Sequence, residues 1–263
     1  MASPRPDLAP DSALTRAEME ELQREIAAAA VFEDDLSIDP AHLSDPLAET
    51  ASDRAAPIVA GVDQSFLPEE ERAVSAVVAM RAAGDEWEVI ERVHAVTPLE
   101  IPYIPGLLSF REGDAILDAV EELSVEPDFY LFDGSGRIHF RQAGIATHVG
   151  VVLDRPSVGV AKSLLCGRAV DETDGLAAGE RVAIVANERV DAPEGTLLGY
   201  AVQTKQYDSP NRHVNPLYVS PGHRVGPDTA ANAVLALSAG YKLPEPVRLA
   251  DAYADEAKTE HVE

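Results

Sequence analysis

The chain has 263 residues, 46% of them hydrophobic, enough to bury a substantial core as one domain with extensions rather than to remain disordered. No apolar run approaches the roughly 20 residues of a membrane span, and the single cysteine, Cys166, excludes an intramolecular disulfide and any multi-cysteine metal site. Asp and Glu number 46 against 21 Lys and Arg, for a net charge of −25. The acids are spread along most of the chain while lysine stands only at 162, 205, 242 and 258, the pattern of a strongly hydrated, self-repelling surface suited to concentrated salt. Met1 to Asp7 lacks a basic region followed by an apolar one, so no secretory leader is read and the cytoplasm is the expected compartment.

Residues 1–53 are compositionally distinct. Pro4, Pro6 and Pro10 precede a helical run from about Ser12 to Phe32, with Leu14, Met19, Leu22, Ile26 and Ala30 at helical spacing, and an Asp- and Pro-rich stretch follows. This predicts a docked helix and a loose linker, ahead of a main domain over 54–245 and an acidic, partly ordered tail over 246–263. From Pro57 the period changes. Ile58 to Asp63, Ala73 to Met80 and Glu86 to Val93 read as three consecutive strands with short connections, Ala83-Gly84-Asp85 being a turn, hence an antiparallel meander. An amphipathic helix after Glu112, carrying Ile116, Leu117, Val120 and Leu123, crosses over to Phe129 to Asp133, an apolar run suited to a sheet centre and to pairing with the first strand. A helix over about Ala143 to Leu153, strands at 157–162, 181–186, 197–203 and 217–220, and a helix over about Thr229 to Ala239 complete an α/β chain with a mixed central sheet and no internal repeat.

The stretch Ile101 to Glu112 is too apolar and too stiff for a casual loop. Pro102 and Pro105 each fix φ at about −65° and push the preceding residue toward extended geometry, so Tyr103 and Ile104 form a rigid spur. Ser109-Phe110-Arg111-Glu112 has the form of a capping box at a helix start, and the ordinary alternative for Tyr103 is a packed aromatic. Asp63 and Asp133 are each expected to end a buried strand, where a carboxylate needs a partner; a hairpin turn at Asp133-Gly134 and a cap or salt bridge at Asp63 are the structural alternatives. With Glu112 they make three carboxylates at the ends of two neighbouring strands and a crossover helix, a set of oxygen ligands suited to Mg²⁺. Arg137, Arg141, Arg155, Lys162 and Arg168 stand between Gly134 and Arg168 against Asp154 alone, which predicts the floor of a polyanion cleft, ordinary ion pairing being the alternative. His139, His148, His213 and His223 are further candidates, and His223 stands out because its loop also bears Arg224.

Six blocks taken together resemble the successive motifs of the endonuclease V family: Val62-Asp63; Pro102 to Glu112; Asp133-Gly134-Ser135-Gly136; Arg141 to Gly150; Gly159-Val160-Ala161-Lys162; and Ser220-Pro221-Gly222-His223-Arg224. They occur in the family's order over roughly Leu22 to Lys242. The resemblance implies a ribonuclease H-like fold and a Mg²⁺-dependent DNA repair endonuclease, Mn²⁺ being able to substitute. Its implied reaction is cleavage of the second phosphodiester bond 3′ of a deaminated adenine in DNA or RNA, leaving 5′-phosphate ends. Carried over by position, Asp63 and Asp133 would bind metal, Glu112 would hold metal or its water, His223 would lie beside that centre, and Lys162 would steady the scissile phosphate or the nucleophile. Tyr103, flanked by Pro102, Ile104 and Pro105, would be the wedge filling the gap left by the extruded inosine. Leu108, Gly134, Gly136, His139, Gly144, Gly159, Ala161 and Leu165 would line the hypoxanthine pocket, glycines letting backbone approach the base edge. Phe140, where many members carry proline, departs from the pattern.

The implied partner is inosine-containing nucleic acid, with no membrane, no obligatory protein partner and a monomer as the simplest state. Three other readings stay open. One is a non-catalytic module that binds inosine or distorted strands and recruits repair factors, against which the carboxylate set and Lys162 argue. The others are an inosine-specific ribonuclease and a hybrid-cleaving relative of the same fold, the second disfavoured by the Tyr103 spur.

Overall fold

The computed structural model describes residues 5–44, 56–67, 69, 71–83, 86–207 and 213–261. Among them a nine-stranded sheet is formed by β1 (Ile58–Leu67), β2 (Arg72–Ala83), β3 (Glu86–Pro98), β4 (Phe129–Asp133), β5 (Ser157–Ala161), β6 (Arg168–Ala169), β7 (Arg181–Val185), β8 (Leu197–Val202) and β9 (Leu217–His223). The order is β3-β2-β1-β4-β5-β9-β8-β7-β6. β1, β2 and β3 make the antiparallel meander read from the sequence, and β4 pairs in parallel with β1 on one side and β5 on the other. This mixed α/β sheet is the ribonuclease H-like arrangement the resemblance implies. The expected turn at 83–85 includes residues 84 and 85, which lie outside the described residues.

Helices cover both faces. α1 (Arg16–Ala29), α3 (Leu108–Glu121) and α4 (Ile145–Leu153) enclose one apolar cluster with the sheet; α2 (Ala41–Ser44), α5 (Pro227–Leu237) and α6 (Glu245–Glu260) enclose the other. β2 and β4 are therefore buried almost throughout, as their continuous apolar runs require. Among the described residues no helix is long and apolar enough to cross a membrane.

Three expectations are corrected here. The stretch from 246, read as a partly ordered tail, is helix α6. It buries Pro246, Val247, Ala250, Ala254 and Ala257 against β1 and β2, and its first turn comes so close that a Cβ on Gly61 would stand 2.0 Å from the Pro246 carbonyl carbon. The capping box belongs to α1, where Thr15 and Glu18 cap reciprocally, and not to Ser109-x-x-Glu112: α3 starts after Leu107 without a side-chain cap, and the Ser109 hydroxyl is buried with no partner. Finally, Asp133-Gly134 opens no hairpin. β4 is flanked by parallel neighbours, and residues 134–144 form a loop packed back onto the sheet.

The N-terminal helix is docked as expected, though shorter than the predicted 12–32, but the first part of the expected loose linker is docked as well. Beyond α1, Asp34 accepts from Gly226 N and from the Thr229 hydroxyl at 2.7 Å each, and Ile38 and Leu43 join the second apolar cluster. The rest of the expected linker, 45–53, lies outside the described residues.

Candidate active site

Asp63 does not end its strand. β1 loses β4 as a neighbour after the Val62–Phe132 pair, but keeps β2 from Asp63–Ala76 to Leu67–Arg72. Asp63 thus stands in mid-strand at the point where the parallel sheet opens, next to Asp133, which does end β4. The third carboxylate comes from α6: one oxygen each of Asp63, Asp133 and Asp251 lies within 4.8 Å of the others. Asp251 was not foreseen from the sequence. The usable signal was the stripe Val247, Ala250, Ala254 and Ala257, at helical spacing, with Asp251 beside it.

The electrostatics are those of an anionic cluster short of a counter-ion. Asp63 is 8% exposed; its Oδ1 accepts from Gln64 N at 2.7 Å, while Oδ2 is buried with no partner. Burial first, and the Asp133 charge second, hold its carboxyl far above the ordinary range. Glu112, on the second turn of α3 and 7% exposed, is pushed up to about 7 by burial, with Arg111 opposing and Asp133 reinforcing the shift. Lys162, just past β5, is half-exposed and sets Nζ 2.6 Å from Asp133 Oδ2 and 3.9 Å from Asp251 Oδ1. Burial works against its charge, but the contact with Asp133 prevails and raises its pKa. The orphaned Asp63 oxygen within an all-oxygen donor set fits a hard divalent cation such as Mg²⁺.

These groups line a cavity of about 430 Å³ that also meets Tyr103, Leu108, Arg111 and Phe66. Tyr103 is 65% exposed on its spur. The spur is anchored beneath: Ile101 and Ile104 pack on Leu107 and Phe110, and the Ile101 carbonyl accepts from Arg111. Gly106, at φ +84°, turns the chain into α3. Its carbonyl accepts from Gln23 Nε2 at 2.9 Å and meets His139 Nε2 at 3.1 Å, and Gln23 Oε1 accepts from Arg141 Nε at 2.7 Å. Gln23 is fully buried, so α1 ties the spur to the 139–144 loop. Phe140 fills the space beside Gly106: a Cβ there would meet its ring at 2.9 Å.

Of the expected pocket residues, Leu108 faces the acid cavity, and Ala161 and Leu165 are half-buried at the same end of the sheet. Gly134, Gly136, Gly144 and Gly159 come together, but the space their missing side chains leave is taken by the loop itself at Gly144 and Gly159, by the Ile145 side chain at Gly134 and by the Pro221 backbone of β9 at Gly136. A Cβ on Gly159 would stand 2.3 Å from Gly136 N and 2.6 Å from Gly134 O, and one on Gly144 would stand 2.3 Å from Ser135 O. His139 is 3% exposed, and burial keeps it neutral.

Two site expectations fail. His223 lies at the far end of β9, where it pairs with Ser157 at the start of β5, whereas Lys162 follows the end of β5. Its Nδ1 accepts from Val31 N at 3.2 Å and its Nε2 lies 3.1 Å from Asp154 Oδ1, so it fastens the segment after α1 at the opposite end of the sheet from the acids. The basic run 137–168 forms no cleft floor. Arg137 stacks over Phe32 at 4.4 Å, Arg141 engages Gln23 and Glu20, Arg155 pairs with Glu126 before β5, and Arg168 lies on the edge strand β6. Neighbours in sequence are here divided between the two ends and the edge of the sheet; only Lys162 reaches the acids.

Residues 42–252 match the family described as Endonuclease V. The chain is 56% identical to the Endonuclease V of Haloarcula marismortui over 97% of its own length and 96% of that protein's. Among solved structures it superposes on the Endonuclease V of Streptomyces avermitilis with a TM-score of 0.74 at 30% identity, covering 95% of each chain. It superposes on that of Ciona intestinalis, in complex with a 24mer DNA containing an inosine followed by a ribo-adenosine, with a TM-score of 0.71 at 25% identity, covering 93% of this chain and 98% of that one.

Proposed function

The chain belongs to the Endonuclease V family of metal-dependent nucleases, and from that we propose that it hydrolyses the second phosphodiester bond 3′ of an inosine in a nucleic-acid strand. The observation that carries the reading is the Asp63–Asp133–Asp251 cluster with Lys162, set in a cavity whose rim bears the exposed Tyr103. Asp63, Asp133 and Asp251 would hold Mg²⁺, with Glu112 beside them. Bound there, the ion would stabilise the charge that develops on the phosphate oxygens.

The chain's own groups do the rest. Tyr103 replaces the inosine in the stack, recovering part of the few kcal/mol that extrusion costs. Leu108, His139 and the 134–144 loop, clamped to the spur through Gly106, bound the space for the extruded hypoxanthine. Lys162 Nζ donates to a non-bridging oxygen of the scissile phosphate, and Glu112, held at about 7, takes a proton from the attacking water. The water oxygen joins phosphorus as the bond to the 3′ oxygen breaks, and that oxygen takes a proton from solvent, leaving a 3′ hydroxyl and a 5′ phosphate.

The test is cleavage of end-labelled DNA and RNA strands with one inosine, beside adenine controls, in molar KCl with Mg²⁺. A cut at the second bond, absent in Asp133→Asn, is the expected result. Binding without cutting under any divalent ion would move the assignment to a recruitment module.

A further inference from the structure

Away from the acids, a second group of cations and rings is assembled where the segment after β8 meets the turn from α5 into α6. Lys205 follows β8, and its Nζ stands 5.5 Å from the centre of the Tyr207 ring and 5.7 Å from that of Tyr241. Arg248 lies over the Tyr241 ring at 4.5 Å, its guanidinium held flat by two hydrogen bonds to Glu245 of 2.7 and 2.6 Å. Tyr241 is 48% exposed and Tyr207 36%. The Thr204 hydroxyl donates to the Lys242 carbonyl at 2.6 Å, joining the two segments. Lys205 meets no carboxylate among the described residues. In a chain of net charge −25, such a patch is not what an average surface would present.

Its position relative to the acids is fixed by register. Ala161 pairs with Tyr218, and Leu217 with Val202, so the segment after β8 emerges at the same end of the sheet as Lys162, two strands away. Arg248 precedes Asp251 by three residues on α6, which puts the two on adjacent turns of one helix face. Tyr103 belongs to the α3 side of the sheet and α6 to the other. A strand whose inosine is held beside Tyr103, and whose cut bond lies two linkages 3′ at the acids, therefore continues onto the α6 side.

We propose that Lys205, Tyr207, Tyr241 and Arg248 form a second strand-binding site that receives the unpaired nucleotides 3′ of the cut bond, bases against the tyrosine rings and phosphates against the cations. The inference rests on the endonuclease reading above. Rings with flanking cations are the combination that holds single strands without regard to sequence, and stacking persists in concentrated salt, where long-range attraction is screened.

The experiment compares two inosine strands in molar KCl, one with a 3′ arm long enough to reach α6 and one trimmed just beyond the cut. Binding is measured by anisotropy and KM by cleavage. The wild type is expected to lose roughly tenfold in affinity on trimming, the scale of one base–aromatic stack. Tyr241→Ala shows that loss already on the long strand and loses nothing further on the short one. Tyr241→Phe, which keeps the ring, behaves as the wild type, and Lys205→Gln shows a smaller version of the alanine pattern and carries the test if Tyr241→Ala does not fold. Equal wild-type affinity for the two arms, or equal weakening of both by Tyr241→Ala, would overturn the site. Loss of preference for inosine over adenine, at either arm length, would instead overturn the reading beneath it.

Discussion

Replacing Gln23 by leucine tests whether the N-terminal helix is part of the recognition apparatus. Gln23 is fully buried, donates to Gly106 O at 2.9 Å and accepts from Arg141 Nε at 2.7 Å. Leucine fills much of the volume but makes neither bond. A neutral bond is worth about 1 kcal/mol, and one to a charged group about 1.5–3 kcal/mol when its partner is left buried. The Arg141 side chain is 15% exposed, so most of the larger figure applies, and a loss of about 3 kcal/mol is expected in denaturant unfolding in molar KCl. The functional consequence is separate from stability. Gly106 is the hinge between the Tyr103 spur and α3, so freeing it lets wedge and pocket drift apart. Preference for inosine over adenine strands, read as a ratio of kcat/KM, should fall further than kcat itself. Gln23→Glu refines the test, because it keeps a partner for Arg141 and loses the donation to Gly106: stability should recover in part while discrimination does not. A Gln23→Leu protein less than about 1 kcal/mol destabilised, with its inosine preference intact, would refute the clamp.

Glu112 should make the metal-free protein sensitive to pH. Its folded pKa is raised from 4.5 to about 7, so the folded state keeps a proton that the unfolded chain releases; the Glu112 contribution to stability in chelator should fall by about 3 kcal/mol as pH rises from about 4.5 to about 7, Asp63, raised to about 9, should extend the fall above 7, and Glu112→Gln should make the slope below 7 shallower in thermal melts. Asp251→Asn should abolish most cleavage while inosine strands still bind, and calorimetry should show weakened Mg²⁺ uptake; unchanged uptake would remove Asp251 from the ion site. Gly61→Ala should destabilise by about 3 kcal/mol or fail to fold, because its Cβ meets backbone of α6 and not a movable side-chain end. Tyr103→Ala should weaken inosine binding in molar salt more than Arg155→Ala, whose side chain pairs with Glu126 at the far end of the sheet; equal losses across a salt titration would contradict that ordering.

What could be read from the sequence was what depends on neighbours along the chain. The Tyr103 spur follows from two prolines that act on their own φ and on the residue before. Asp63 and Asp133 stand out as charges that close apolar runs, and such runs made β1, β2 and β4 legible. Asp251 was missed because its helix buries mostly alanine, a weak apolar signal among many acids, and because the helix is held in place by Gly61, far upstream. His223 was misplaced for a different reason. Its motif is local, but the end of the sheet at which it lies is decided by β9 running antiparallel to β5, and the residues around His223 carry no trace of that direction. The basic run failed in the same way: one stretch of sequence passes through both ends of the sheet.

The disposition of the few cations has a common physical logic. Arg137 stacks over Phe32, Arg181 over Tyr200, Arg189 over Phe140, and Lys205 and Arg248 share Tyr241. At about 1 M salt the Debye length is roughly 3 Å, so a cation spread over open surface attracts a phosphate only on contact, and counterion release adds little. Against a ring, the same cation keeps a short-range partner that salt screens poorly and lends it a flat, partly apolar face. Such a surface recognises a strand by touching it, not by drawing it in from a distance. The association rate should therefore change little with salt above about 1 M, where screening is already complete, while Tyr103 and Tyr241 act mainly on the rate of release. Stopped-flow binding of inosine strands separates the two: a Tyr241→Ala protein that slowed association and left dissociation unchanged would show that attraction at a distance still operates.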